Sequence, residues 1–511
     1  MDRRTFLTTV AGCGAASVVG CGPSSVTRDL AAWAYFGLHP FIEAHPEAVF
    51  IRKTGVTSKT DADAKKAEGA ALAKQIFILR DTPGIPLTYK FAIKPNLTAT
   101  GGTGLRHAIV TDPFVVEGLI DFMTQMGMAA ESIYVREGLD LDQPSIGYNQ
   151  MARRTGVHYA DDDSRDPTTK DCSDGLVFKR AKYLGPFLYP DSYLINISKF
   201  KSHSMGLTLC VKNLQGTTVK PYIQFCAGIQ DEIREDIQAD ARSLVHDLYA
   251  KHRRAGIPRW DVEGASRMEQ WAHRTIDSYM LLKPTVGLNI IEGVYAQNGN
   301  AFTRGPGPGG KPEIFLTNMF IFGKDAFSVD IIGHYLAGHE PGNFGLFHIG
   351  KERGVSTALD PKNIPIYLWD DSGPKLTPLD SFTRTPLSAP YLAKPGEAEY
   401  HLCNEPFEYA PEPVPASLSG GDEPRIQVLG PWRPGRTSSS LVIEYSLPAD
   451  GYACVDLHNA AGECVGILDQ GWMTRGIHMA TWNTGQAASG TYYCRLRANG
   501  AERAGCINLV G

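Results

Sequence analysis

The 511-residue chain lacks the motifs that usually name a reaction. It has no GxSxG and no HExxH, so a nucleophile-elbow hydrolase and a zincin both go unsupported. The glycine-rich stretch 305–310 lacks the GK[ST] ending of a P-loop and the strand–GxGxxG–helix setting of a dinucleotide fold, and reads as a mobile loop over a site. There are ten cysteines but no CxxC. Cys172, Cys210, Cys226 and Cys403 show no Cys/His ligand spacing, which argues against a zinc site and an iron–sulfur cluster. Positive charge is also in short supply. With 50 Lys and Arg against 55 Asp and Glu, the net charge of −5 gives no electrostatic reason to expect nucleic acid. Beyond the first twenty residues, no apolar run approaches the length of a membrane span.

What the N-terminus does have is an address. Arg3-Arg4 followed by Phe6-Leu7 is the twin-arginine pattern, and the apolar stretch from Thr8 to Val19 is too short and small-residue-rich to span a bilayer. It ends in Val18-Val19-Gly20-Cys21, which resembles a lipobox. The expectation is a signal peptide over 1–20, lipidation of Cys21 and a tether over 21–45. The protein would then be exported by the twin-arginine route and held at a membrane by the lipid on Cys21, in the periplasm or at the cell surface. The alternative is an N-terminal core helix with chance arginines.

Two domains are expected from this length. Over 46–374, short apolar strands (48–53, 89–94, 132–136, 192–198, 285–291, 314–323) alternate with helical stretches. Helices are predicted at 61–78, 112–127, 229–251, 264–281, 326–337 and 343–353. Such alternation favours an α/β domain with a mainly parallel or mixed sheet covered by helices, with ligands beyond the carboxyl ends of the strands. Residues 375–425, rich in Pro, Gly and acidic groups, read as a linker. From 426 to 511 the period becomes two, with turns at Pro448-Ala449-Asp450-Gly451 and Asn499-Gly500, which predicts an all-β immunoglobulin-like sandwich. There Cys454 and Cys464 are equidistant from Asn459-Ala460, and Cys494 and Cys506 from Gly500. Two cross-strand disulfides are expected if those registers hold; four separate thiols are the alternative.

The densest cluster of candidate residues is LINISKFKSHSMGLTLCVKNLQG, 194–216. Lys199, Lys201 and His203 occupy alternate positions after an apolar strand, with Lys212 and Asn213 close behind. Alternate residues of an extended segment share a face, so their cationic groups repel unless an anion sits against them. The competing reading is an edge strand guarded by lysines. Lys94 and Asn96 end the strand 89–94 and would add a cation and an amide. Asp112 opens a helix before Pro113, where it serves as a cap and leaves backbone N–H groups for an anion. Glu137 follows the strand 132–136 and would supply a carboxylate to the same crevice, or lie in a solvated turn.

Several of these segments are similar to the DUF362 family. They are IKPNL (93–97), TDPFVVEGLIDFM (111–123), VREG (135–138), INISKFKSHSMGLTLCVKNLQG (195–216) and GKDAFSVD (323–330). The resemblance implies no defined activity. Some relatives add ferredoxin-like cysteine clusters, which this chain lacks. The C-terminal run SLVIEYSLPADGYACVDLHNAAGECVGIL, followed by GIHMATWNTGQAASGTYYCRLRANG, resembles the FlgD-type immunoglobulin-like module. That resemblance implies a spacing or adhesion role.

The functional expectation is an exported lipoprotein whose α/β domain binds, and where chemistry occurs transforms, a small phosphate- or carboxylate-bearing ligand. Lys94, Lys199, Lys201 and Lys212 would neutralise charge, while Asn96 and Asn213 orient the ligand. His203, titrating near neutrality, would be the acid/base, with Lys201 a second candidate base. The alternative is a non-catalytic surface binding or adhesion protein. Composition and spacing name no cofactor and no oligomeric state.

Overall fold

The computed structural model describes residues 35–80, 84–98, 108–138, 146–159, 167–203, 206–223, 231–256, 265–299, 305–388 and 406–409. In the C-terminal part it describes 424–429, 440–449, 451–473, 475–484, 487–498 and 501–509. The signal peptide expected over 1–20 and the lipidation at Cys21 lie outside the described residues. Among the described residues no helix is long and apolar enough to cross a membrane. The chain divides into two units, with the boundary between Tyr409 and Ala410.

A ten-stranded mixed sheet organises the first unit. Its strands are β1 (Val49–Lys53), β2 (Lys90–Pro95), β3 (Ile133–Val135), β4 (His158–Tyr159) and β5 (Ser192–His203), then β6 (Gly206–Thr208), β7 (Val286–Asn298), β8 (Glu313–Gly323), β9 (Ile366–Asp370) and β10 (Gly373–Leu376). They lie in the order β10-β9-β1-β8-β7-β5-β2-β3-β4, with β6 folded back on β5. The middle is parallel, since β5 pairs in parallel with both β2 and β7. β8 runs antiparallel to both β7 and β1. The Lys199–His203 segment therefore lies on an interior strand, not on a guarded edge.

Helices cover both faces because the strands are apolar on both. Ile195 and Ile197 of β5 join the core under helices α1 (Ala62–Ile76) and α2 (Pro113–Gln125). Leu194 and Phe200 join the opposite core, with α3 (Cys210–Asn213), α5 (Ala265–Leu282), α6 (Ala326–Leu336) and α7 (Gly345–Glu352). Helix α4 (Ala241–Arg254) packs beside α5. Helix α1 starts at Asp61, whose side chain accepts from Ala64 N, and α6 at Asp325, which accepts from Ser328 N. Helices α1 and α2 pack backbone to backbone at Gly118, where a Cβ would stand 1.9 Å from the Lys66 carbonyl oxygen.

Three boundaries differ from the sequence reading. The tether expected over 21–45 is folded from Tyr35 onward: Tyr35–Leu38 pairs with Phe77–Arg80, and Phe36 and Ile42 are fully buried. The linker expected from 375 begins as structure, because Leu387 is buried and Ser388 N donates to Asn298 Oδ1. Farther on, the Tyr409 hydroxyl donates to Glu340. A few apolar side chains in a Pro-rich run are enough to dock it, and composition alone misses them. The helix expected over 229–251 is a 3₁₀ segment, Asp231–Asp236, followed by α4.

The second unit holds two antiparallel sheets. One contains β11 (Arg425–Leu429), β12 (Ser440–Leu447) and β15 (Gly476–Asn483). The other contains β13 (Gly451–Asn459), β14 (Cys464–Met473), β16 (Gly490–Ala498) and β17 (Ala501–Leu509). Ile443 and Tyr445 of the first share one apolar core with Val455, Leu457 and Leu496 of the second. The two expected disulfides are absent. Cys454 lies opposite Gln470, and Cys464 opposite His458, because the hairpin closes about Ala461 rather than Asn459. Cys494 lies opposite Gly505 and Cys506 opposite Tyr493. Ala498 pairs with Ala501 in the β16–β17 ladder, so the pairing falls one residue short of matching the two cysteines and sends their thiols to opposite faces. Cys494 is buried and Cys506 exposed.

Candidate functional site

The site is built at the carboxyl ends of β2, β5 and β7, where two buried ion pairs occupy opposite faces of the sheet. On one face the end of β2 delivers Lys94, fully buried, which donates to Glu137 Oε2 (2.7 Å), the Pro95 carbonyl (2.7 Å) and Asn213 Oδ1 (3.2 Å). Glu137 also accepts from Leu97 N and Gly138 N. This carboxylate belongs to the interior, not to a solvated turn. Gly216 is what lets the pair close up: a Cβ there would lie 1.9 Å from Glu137 Oε1 and 2.7 Å from Lys94 Nζ. Burial is the main influence on Lys94 and lowers its pKa, against the pull of Glu137.

Asn213, on the last position of α3, locks this corner. Its amide donates to the Lys94 carbonyl and to Asn196 Oδ1, while its oxygen accepts from Lys94 and Asn96. Asn196 passes the chain on to Asn289. Every bonding position of the Asn213 side chain is thus engaged within the protein. It positions Lys94 and Asn96 rather than a ligand. Asn96 keeps one buried acceptor, Oδ1, with no partner among the described residues. The start of α3 is held by Asp330, which accepts from Cys210 N and Val211 N; burial pushes its carboxyl up to about 8.

On the other face Lys199 donates to Glu292 Oε2 at 2.6 Å, with both side chains buried. Glu292 also accepts from Asp112 N and Val294 N. Asp112 acts as the cap of α2, accepting from Phe114 N, and pairs with the buried Lys65 of α1 at 2.7 Å. Its carboxylate is therefore fully engaged in structure, and it meets the site only through its backbone.

Between the two pairs lie Lys201, His203 and Lys212. Strand β5 outlasts β2, whose last partner is Ile197, so Lys201 reaches over the end of β2 and donates to the Thr98 carbonyl. Burial first, then the charges of Lys212 and Lys199, push its pKa well down. His203 is likewise pushed well below its ordinary 6.5, by burial and then by Lys212 and Lys201. The expectation that His203 titrates near neutrality is corrected: it stays neutral, and the depressed amine of Lys201 is the better base. Lys212 is 8 % exposed and forms no ion pair among the described residues.

The geometry thus gathers Lys94, Asn96, Glu137, Lys199, Lys201, His203, Lys212 and Asn213, with Asp112 at the margin. Residues 91–334 match DUF362, a domain of unknown function. That span runs from the start of β2 to α6, so the DUF362-like region contains every one of these residues. It leaves out β1, β9 and β10. A search of curated proteins gave no match.

Several contributors to the DUF362-like site escape a reading of the sequence. Glu292, Asn196 and Asn289 are spaced across the chain and meet only through the sheet register, and Lys65 arrives from helix α1 to pair with Asp112. The one local signal is the carboxylate of Glu292 directly after the apolar run expected as a strand over 285–291. The 305–310 loop offers little to an anion, since the N–H groups of Gly305, Gly307 and Gly310 bond within the loop. His348 donates from Nε2 to the Gly342 carbonyl, as a packed helix histidine does. Among the described residues no group of three or more His, Cys, Asp or Glu is arranged to hold a metal ion.

Proposed function

We propose that the DUF362-like unit binds a small phosphate- or carboxylate-bearing ligand at the ends of β2 and β5. Lys212 and Lys201 are the groups that meet its charge. The observation that carries this reading is Lys212: a nearly buried ammonium, close enough to oppose protonation of both Lys201 and His203, with no carboxylate paired to it among the described residues. A buried charge of this kind costs several kcal/mol, on the order of a full ion desolvation after relaxation, unless something compensates it. An anion does so for Lys212 and restores the proton on Lys201 at the same time.

Where the ligand reacts, Lys201 gives up its weakly held proton to the ligand or to water, the freed amine then serves as base or nucleophile, and the neutral imidazole of His203 orients the ligand. The sequence pattern at Arg3-Arg4 and Val18–Cys21 supports export and a lipid anchor on Cys21. The period-two C-terminal unit supports an immunoglobulin-like spacer. Titration calorimetry with inorganic phosphate, a phosphomonoester and a dicarboxylate tests the site. At least one should bind, and Lys212→Met should weaken it about tenfold or more, as expected for truncating a buried charge partner. No binding by the wild-type protein, or unchanged binding by Lys212→Met, would overturn the assignment.

A further inference from the structure

Lys201 has two lateral neighbours in the sheet, Thr208 on β6 and Gln297 on β7. Residues paired across a ladder point to the same face, so the three side chains form a row. The row is buried throughout: Lys201 and Gln297 are 0 % exposed and Thr208 is 1 % exposed. In this row Gln297 Nε2, Gln297 Oε1 and Thr208 Oγ1 have no hydrogen-bond partner among the described residues. Three orphaned polar atoms flanking one lysine are unusual, because each buried group left unmade costs about 1–3 kcal/mol.

The chemistry of the orphans says more than their number. An acceptor-only anion satisfies Gln297 Nε2, the Thr208 hydroxyl and the lysines, but leaves Gln297 Oε1 facing another acceptor. That oxygen needs a donor. Asn96 Oδ1, the other unpartnered buried acceptor of the site, needs one as well. The bulge between Lys199 and Lys201 is what brings Gln297 into this row: Lys199 faces Glu292, while Lys201, two residues on, faces Gln297, five residues on. Bulges re-aim side chains in this way at functional edges of sheets.

We infer that the ligand carries hydroxyl or amide N–H donors beside its negative charge, and that the Thr208–Lys201–Gln297 row reads both. This rests on the anion-binding reading above and narrows its substrate class to hydroxylated or amidated phosphates and carboxylates. Gln297 and Thr208 are then specificity-determining residues. A simple anion of the same charge is discriminated against because it leaves the Gln297 oxygen unpaired.

The test compares ligands matched in charge and size: glycerol 3-phosphate against propyl phosphate, and lactate against propionate, each by titration calorimetry. In at least one pair the wild-type protein should prefer the hydroxylated member about tenfold or more, as sites built to bond a hydroxyl do. Gln297→Met and Thr208→Val, which keep shape and remove the polar atoms, should shrink that preference to about twofold while retaining the simple anion. A second readout does not depend on binding. Since the Gln297 amide has no partner among the described residues, ligand-free Gln297→Met should melt at the wild-type temperature or above it. Equal affinity within both pairs, a preference that survives Gln297→Met, or a lowered melting temperature would overturn the inference while leaving the anion site standing. Failure of all four probes to bind would instead refute the anion site, and this inference with it.

Discussion

The two units handle charge in opposite ways. In the α/β unit, Lys94–Glu137 and Lys199–Glu292 lie inside the protein, with no side chain of the four more than 2 % exposed. In the C-terminal unit the corresponding cluster sits on an outward sheet face. Asp456 is covered, but Arg495 and Arg497, which bond it, are 30 % and 51 % exposed. An interior pair loses two hydration shells and is often no more stable than apolar residues of the same volume. An exposed pair loses little and contributes little. The α/β unit therefore carries an electrostatic arrangement that folding alone does not require, and it lies at the strand ends where α/β sheets bind ligands. The C-terminal face has charges where a solvated surface normally has them.

The largest expected consequence of that difference is at Glu137. Changing Glu137→Gln leaves the Lys94 ammonium without its charge partner and weakens the bond from Leu97 N. Urea unfolding should show a loss of about 3 kcal/mol or more, typical of a broken buried pair. A loss below 1 kcal/mol would mean that the interior pair behaves like a surface one.

Lys201 should behave differently, because its amine is already pushed toward the neutral form. Changing Lys201→Met is expected to leave stability within about 1 kcal/mol of wild type, since an apolar chain replaces a poorly solvated one. Affinity for the anion should fall roughly thirtyfold, matching the 2 kcal/mol or more seen when a buried charge partner is cut away. Stability and binding lost together would place Lys201 among the structural lysines with Lys94.

A third region of the α/β unit responds to pH. His252 of α4 bonds Glu269 of α5 through Nδ1 and Glu352 of α7 through Nε2, the latter at 2.6 Å. The hydrogen bond that it donates to Glu269 comes first among the influences that raise its pKa above 6.5. Glu269 and Glu352 are both held below 4.5: burial pushes them up, but the bonds from His252 and, for Glu352, from Lys251 prevail. A raised histidine gives stability that is complete below pH 6.5 and lost as pH climbs through the folded-state value. Depressed carboxylates give stability present above pH 4.5 and lost as pH falls through theirs. The cluster should therefore contribute most between pH 4.5 and 6.5. Changing His252→Gln should flatten the high-pH side of the stability profile, and an unchanged profile would remove the cluster as its cause.

What could be read from the sequence follows from how local each feature is. Strands β1, β2 and β8 and helices α1, α2 and α6 stand close to their expected positions, because hydrophobic runs and the caps Asp61, Asp112 and Asp325 are local signals, whereas β7 starts where expected but runs on to Asn298. The lysine row was visible for the same reason, as an alternation within five residues. Its partners were not. Glu292 reaches Lys199 only because β7 lies beside β5 in register, and Gln297 reaches Lys201 only through a bulge that no local pattern announces. The disulfide expectation failed on the same ground: a hairpin closing two residues from its expected centre, and a ladder one residue out of step, decide which cysteines face each other. Local alternation picked out the lysines, and register supplies their partners.

The smallest expected effect lies on the C-terminal face and gives the comparison its control. Asp456 Oδ1 accepts from Arg495 Nε and His458 Nε2, both at 2.9 Å, and Oδ2 accepts from the two arginine forks. By the count of bonds it is better connected than Glu137. If bond number set stability, Asp456→Asn would be the worse of the two changes. Solvent access argues the reverse: the arginines released by the substitution turn into water and rehydrate, and the asparagine oxygen keeps part of the contact. The expected loss is about 1 kcal/mol or less, in the range of partly exposed pairs, and added salt should reduce it further by screening. The Glu137→Gln loss should be nearly insensitive to salt. A loss at Asp456 equal to that at Glu137, and equally indifferent to salt, would mean that the outward face is as dry as the interior.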